Sequence, residues 1–156
     1  MSPQKNKYQA YSIATRTVAK TRQIVMLYDG AIRFLKQAQT AAAEKRIEDR
    51  FLLLKRASDV ILGLQSSLDF ENGGEVAGTL NKFYTNISLR ILSVNFHPKE
   101  ACELCEGITS ELKQMRDIWD SIDSGATQAA NPASTPAMTP GSIPDASGAG
   151  NVTLSA

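Results

Sequence analysis

One histidine and two cysteines are all the imidazole and thiol groups that 156 residues provide for metal or redox chemistry. Each scarcity removes a class of chemistry. Two cysteines make no disulfide framework, which fits a reducing compartment. Structural zinc takes four ligands, and Cys102, Cys105 and His97 fall short of that number. Di-iron bundles use two Glu-x-x-His motifs, and a single histidine cannot supply them. His97 stands beside Pro98 at a helix junction, whereas a phosphotransfer histidine is exposed mid-helix. There is no glycine-rich phosphate loop and no nucleophile constellation. No apolar run approaches the ~20 residues of a membrane span, and the N-terminus lacks the charged-then-apolar layout of a secretory signal. A formal net charge of +1 points to no nucleic-acid or membrane partner. The expectation is a soluble cytoplasmic protein that is not an enzyme, holds no metal or cofactor, binds no nucleic acid and does not insert in a membrane.

What the chain does have is helical periodicity. The stretch Ile24–Leu35 carries the densest of it: Ile24, Leu27, Tyr28, Ala31, Phe34, Leu35 and Ala38 share one side of a helix. Val25 and Ile32 widen that side along one edge. A surface helix needs an apolar arc of somewhat over ~100°; this one approaches half the circumference, so Val25 and Ile32 are read as an edge offered to a partner. Asp29 lies on the wet side with Arg33 at i+4, the spacing of a solvated ion pair. The periodicity predicts helices over about 19–43, 47–68, 75–96 and 99–123. Asn72-Gly73-Gly74 reads as the stop after the second, and His97-Pro98 as the break before the fourth. Expected core residues are Ile47, Phe51, Leu54, Ala57, Ile61, Leu64 and Leu68 on the second helix. On the third they are Val76, Leu80, Phe83, Tyr84, Ile87, Ile91 and Val94. The fourth contributes Ala101, Leu104, Cys105, Ile108, Leu112, Met115, Trp119 and Ile122.

The third helix carries a second stripe. Leu89, Leu92 and Phe96 follow i, i+3, i+7 on the face that should be wet, which suggests a docking groove. Lys and Arg dominate the chain through Arg56, and Asp and Glu dominate after it. In an antiparallel bundle that segregation serves internal complementarity. Residues 1–18 read, from composition alone, as a loose arm with two tyrosines, Tyr8 and Tyr11. Residues 124–156 are rich in Ala, Ser, Thr, Gly and Pro, with no basic or aromatic side chain, and are expected to be disordered.

Three blocks resemble one family, the flagellin export chaperone FliS. They are Tyr8-Gln9-Ala10-Tyr11, the run from Met26 to Leu35, and the run from Leu68 to Ala77. The likeness covers about Tyr8 to Asp123. One departure is Ala19-Lys20, where the family commonly has a Ser-Pro cap. The resemblance implies an all-α fold, an antiparallel four-helix bundle over 19–123 with a short extra N-terminal helix or arm over 1–18. It implies a chaperone that binds the disordered C-terminal helices of flagellin, prevents premature polymerisation and delivers the cargo to the flagellar type III export apparatus. Tyr8 and Tyr11 take from the family the roles of occupying the empty groove and of being recognised by the export gate membrane protein. The partner-binding set is then Tyr8, Tyr11, Val25, Ile32, Leu89, Leu92 and Phe96, and the chain is expected to be a monomer or weak homodimer. The competing reading from another class is a small thiol- or metal-binding bundle using Cys102, Cys105 and His97.

Overall fold

A computed structural model describes residues 3–130, apart from the side chains at 3–6, 8, 18, 129 and 130. Four helices follow one another: α1 Pro3–Ala43, α2 Ile47–Ser66, α3 Phe70–Phe96 and α4 Ala101–Ala130. No strand occurs among the described residues. The connections 44–46, 67–69 and 97–100 are too short to cross the bundle, so successive helices run antiparallel. α1 packs on α2 and α4, and α3 packs on the same two, which sets α1 and α3 on the diagonal. The all-α four-helix bundle expected from the sequence is the fold observed.

Several boundaries differ, each for a local reason. α1 starts at Pro3 rather than Ala19. Proline is tolerated in a first turn, and no glycine or proline between Gln4 and Val18 interrupts the helix behind it. α1 ends through Lys45, whose φ of 59° is left-handed. The Arg46 N–H then donates to the Ala41 carbonyl at 2.8 Å and the Lys45 N–H to Ala42 at 3.1 Å, the paired closure of a Schellman motif. Asn72-Gly73-Gly74 does not stop α2, which ends at Ser66; it lies inside α3. Asp69 is the reason. Its carboxylate accepts from the Glu71 and Asn72 N–H groups at 3.0 Å and starts α3 early. Gly74, with φ 49° and ψ −127°, then kinks the helix in a conformation that suits glycine. α4 runs on from Asp123 to Ala130, with Ala126 half-buried and Thr127 donating to the Asp123 carbonyl at 2.8 Å. The rest of the expected tail, 131–156, lies outside the described residues.

The core is built from one stripe of each helix: Tyr28, Ala31, Leu35 and Ala38; Leu54, Ala57, Ile61 and Leu64; Tyr84, Ile87, Ile91 and Val94; Ala101, Cys105, Ile108 and Leu112. Across the diagonal the Tyr28 hydroxyl donates to the Tyr84 oxygen at 2.8 Å, so both buried oxygens take part in a hydrogen bond. Desolvation raises both phenol pKa values; the contact with Tyr84 adds to the rise at Tyr28. Polar contacts pin α1 to α4. The Thr21 hydroxyl donates to Asp123 Oδ1 at 2.8 Å, and Arg116 Nε donates to Asp29 Oδ1 at 2.9 Å. Asp29 is therefore ion-paired with α4, not with Arg33. Arg22 lies 3.9 Å from both Asp120 and Asp123, an instance of the basic first half facing the acidic second.

Candidate functional site

Apolar surface is left over on α2 and α3 beside the seam between them. The buried stripe of α2 is Leu54, Ala57, Ile61 and Leu64. At about 100° per residue, Ile47, Phe51, Ser58 and Leu62 fall beside that stripe on the side toward α3. On α3 the buried stripe is Ala77, Tyr84, Ile87, Ile91 and Val94, which leaves Leu89, Leu92 and Phe96 outside it. All three are more than half exposed, at 63%, 55% and 73%. Ile47, Phe51 and Leu62 are exposed as well. The sequence assigned Ile47 and Phe51 to the core and the structure places them at the surface. Both lie beside the buried stripe of α2 rather than on it, since Arg50 takes the buried position in the first turn.

Phe51 of α2 and Leu92 of α3 thus meet across one groove, and Ile47, Leu62, Leu89 and Phe96 are exposed on the same two helices. Between them a cavity of about 260 Å³ is lined by Phe51, Leu54, Ile91 and Leu92, with Lys55, Ser58, Asp59 and Asn95 at its rim. Leu54 and Ile91 belong to the core, so the floor of the groove is rigid. Lys55 and Asp59 neutralise each other at 2.9 Å. The opposite end of the seam is closed by Gln65, whose amide donates to Asn81 Oδ1 at 2.8 Å and to Thr85 Oγ1 at 2.9 Å. The groove is therefore open beside Phe51 and Leu92 and stitched beside Gln65. An apolar floor with a nearly neutral polar rim suits an amphipathic segment laid along the seam.

The other expected partner residues are placed differently. Val25 and Ile32 are not an open edge: they are 1% and 8% exposed. α1 is flanked by both α2 and α4, so its buried arc must be wide, and the surplus apolar edge is used by α4. Tyr28, expected at the margin of the core, is fully buried, while Leu27 is exposed. Tyr11 is exposed on the part of α1 that precedes Thr21, together with Ile13. The Tyr8 side chain lies outside the described residues. Neither α1 nor its N-terminal extension covers the α2–α3 seam, so the structure does not bring Tyr11 together with Leu89, Leu92 and Phe96.

A smaller cavity of about 220 Å³ sits at the Gln65 end of the bundle, lined by Ile24, Leu64, Leu68, Val76, Leu80, Tyr84 and Trp119 among others. Val76, placed in the core by periodicity, is exposed here because the Gly74 kink turns the start of α3. Ile122 of α4 is exposed near the same end.

The thiols and the histidine are engaged elsewhere. Cys105 is fully buried, and burial pushes its thiol up to about 11. Cys102 is half-buried and its S–H donates to the Gln39 carbonyl at 3.6 Å. His97 Nδ1 is 2.9 Å from the Ser93 carbonyl at the end of α3. Among the described residues no three His, Cys, Asp or Glu side chains converge as metal ligands. No helix among them is long and apolar enough to cross a membrane.

Comparison with known proteins places this geometry in context. Residues 1–126 match the family model described as flagellar protein FliS. The chain is 30% identical over 124 residues to the flagellar secretion chaperone FliS of Campylobacter jejuni, covering 78% of this chain and 94% of that one. It is 30% identical over 118 residues to the flagellar secretion chaperone FliSB of Pseudomonas aeruginosa, covering 74% and 92%. It is 28% identical over 117 residues to the flagellar secretion chaperone FliS of Vibrio cholerae, covering 74% and 85%.

Proposed function

The chain belongs to the FliS family of flagellar proteins, and on that premise we propose that it is a non-catalytic cytoplasmic export chaperone whose α2–α3 groove holds the C-terminal segment of flagellin. The relatives' role as flagellar secretion chaperones supports a role in flagellar export. The observation that carries the finer reading is the apolar surface at the seam: Phe51 on α2 and Leu92 on α3 line one cavity, and Ile47, Leu89 and Phe96 are exposed on the same two helices.

A disordered cargo loses conformational freedom when it docks, at a cost of roughly 2–5 kcal/mol. A cavity of about 260 Å³ takes one large side chain and offsets little of that. The whole groove from Ile47 to Leu62 is about 22 Å long at helical rise, long enough for several turns of an amphipathic cargo helix. Occupying those apolar faces removes from flagellin the surface it uses to polymerise. Tyr8 and Tyr11 are assigned to recognition by the export gate protein; Tyr11 stands exposed on α1, clear of the groove. Val25 and Ile32 belong to the core of the same machine rather than to its docking surface. The free chaperone is a monomer or weak homodimer.

Purification of the full chain from its native cytoplasm, with mass spectrometry of what comes with it, tests the proposal. Flagellin should be the co-purifying chain in near one-to-one amount. Recovery of the protein with no flagellin from flagellated cells would contradict it.

A further inference from the structure

We propose that the α1–α2 face is a second docking surface, for an acidic segment of a protein partner, centred on Arg33 and Arg56 around the Phe34 ring. It lies on the opposite side of α2 from the α2–α3 groove, and it stands whether or not that groove holds flagellin.

Charge pairing leaves this face with a positive excess. Several cations of the basic first half find carboxylates: Arg22 lies near Asp120 and Asp123, Arg46 holds Glu44 and Asp49, and Lys55 holds Asp59. Arg33 and Arg56 are exposed, as is Lys36 next to Arg33, and no carboxylate among the described residues pairs with any of the three. Asp29, one turn before Arg33, would be its natural partner, but Arg116 of α4 holds it at 2.9 Å. The acidic residues of α4 thus serve the α1–α4 side, and the α1–α2 side keeps its charge.

The two guanidiniums are also held in place. Arg33 Cζ is 5.6 Å from the centroid of the Phe34 ring and Arg56 Cζ is 6.0 Å from it, so two helices bring their cations to one aromatic platform. Phe34 is half-buried and packs against the core, which fixes the ring. A guanidinium resting on a ring keeps N–H groups free for a ligand, and its rotamer freedom is already reduced before one arrives. Two like charges at one ring repel each other, and a carboxylate between them relieves the repulsion.

The surroundings select the ligand. Arg56 lines a cavity of about 250 Å³ with Leu52, Leu53, Arg46 and Asp49, and Leu52 is exposed there. Arg33 lines another of about 400 Å³ that includes Asp29 and Lys36. A nucleic-acid backbone would run its phosphates past Asp29 and Asp49. An acidic peptide avoids this, because carboxylates three or four residues apart share one face of a helix. They meet the two arginine forks as charge-assisted pairs, and an apolar neighbour covers Leu52. Because Phe51 and Ser58 face α3 while Leu53 and Arg56 face α1, the acidic partner and a cargo in the α2–α3 groove can be held at the same time.

Fluorescence anisotropy on the full-length chain tests this with a short labelled peptide built from Glu, Asp and Leu. It should bind, bind less well as salt is added, and lose at least about tenfold in affinity with Arg33→Gln plus Arg56→Gln. No binding to the natural chain, or equal binding to the variant, overturns the proposal. Should the Gln variant unfold at a lower midpoint, Arg33→Lys with Arg56→Lys replaces it; charge is kept and the planar fork lost, and affinity should fall about two- to fivefold. Lysines that bind as tightly as the arginines overturn the stacked site. A single-stranded oligonucleotide of equal charge that binds more tightly than the peptide overturns the choice of partner. Leu92→Asp with Phe96→Asp should leave the acidic peptide's affinity unchanged, and a loss there would show that the two surfaces are not separate, which also overturns the proposal.

Discussion

Replacing Tyr28 by Phe removes a single oxygen from the middle of the bundle, and the structure says what that should cost. The Tyr28 and Tyr84 hydroxyls are 2.8 Å apart, and both residues are at least 98% buried. With Phe at 28, the Tyr84 hydroxyl loses this partner in a place water reaches poorly. The expected loss of stability is about 1–3 kcal/mol, the desolvation cost of an unmade hydrogen bond. The same holds for Tyr84→Phe. The double variant should cost much less than the two singles added, because no orphaned hydroxyl is left behind. Urea unfolding of the four proteins gives the coupling energy directly, expected at about 1–2 kcal/mol. If each single costs under about 0.5 kcal/mol, or if the singles simply add, the tyrosine pair is not a latch across the α1–α3 diagonal.

Lys45 holds a left-handed φ of 59° that costs a side chain about 1 kcal/mol, so Lys45→Gly should raise stability by roughly 0.5–1 kcal/mol, read from the urea midpoint. A lower midpoint would show that the Lys45 side chain contributes more than its backbone costs. The thiol of Cys105 is pushed from 9.0 to about 11 by burial, so the folded chain keeps a proton that the unfolded chain releases. That contribution is complete below pH 9 and is lost as pH rises through 11, on the order of 2 kcal/mol in all. Stability should fall with pH over this window and fall less steeply in Cys105→Ala; equal slopes would refute the assignment. Tyr28 and Tyr84, also raised, add to the alkaline loss in both proteins.

The periodicity of the chain revealed the helices and most of the core, because a buried stripe at 3.6 residues per turn is written into residue type. Ile87, Ile91 and Val94, or Cys105, Ile108 and Leu112, could be placed without coordinates. It also singled out Leu89, Leu92 and Phe96, since a second stripe opposite the first has no place in a simple bundle. What it could not tell was which edge of a wide apolar arc has a neighbour. Val25 and Ile32 looked surplus on one helix and are covered by α4; Phe51 and Ile47 looked like core and lie exposed beside the buried stripe of α2. Charge pairing across helices was equally hidden: Asp29 has Arg33 one turn away in sequence and bonds Arg116 instead. The start of α3 turned on the carboxylate of Asp69 capping two N–H groups, ahead of the glycines that appeared to mark the boundary.

The central claim is that the exposed stripe of α3, whose Leu92 lines a cavity with Phe51 of α2, is the surface that holds flagellin. Calorimetry with a flagellin C-terminal peptide and the full chain measures it most directly, beside the variant Leu92→Asp with Phe96→Asp. Both substituted side chains are more than half exposed, so the variant should keep its unfolding midpoint. Two carboxylates would then lie where apolar cargo must pack, and binding should weaken at least a hundredfold, about 2.7 kcal/mol or more. Peptide binding of equal strength to both proteins, with the fold intact, would contradict the account.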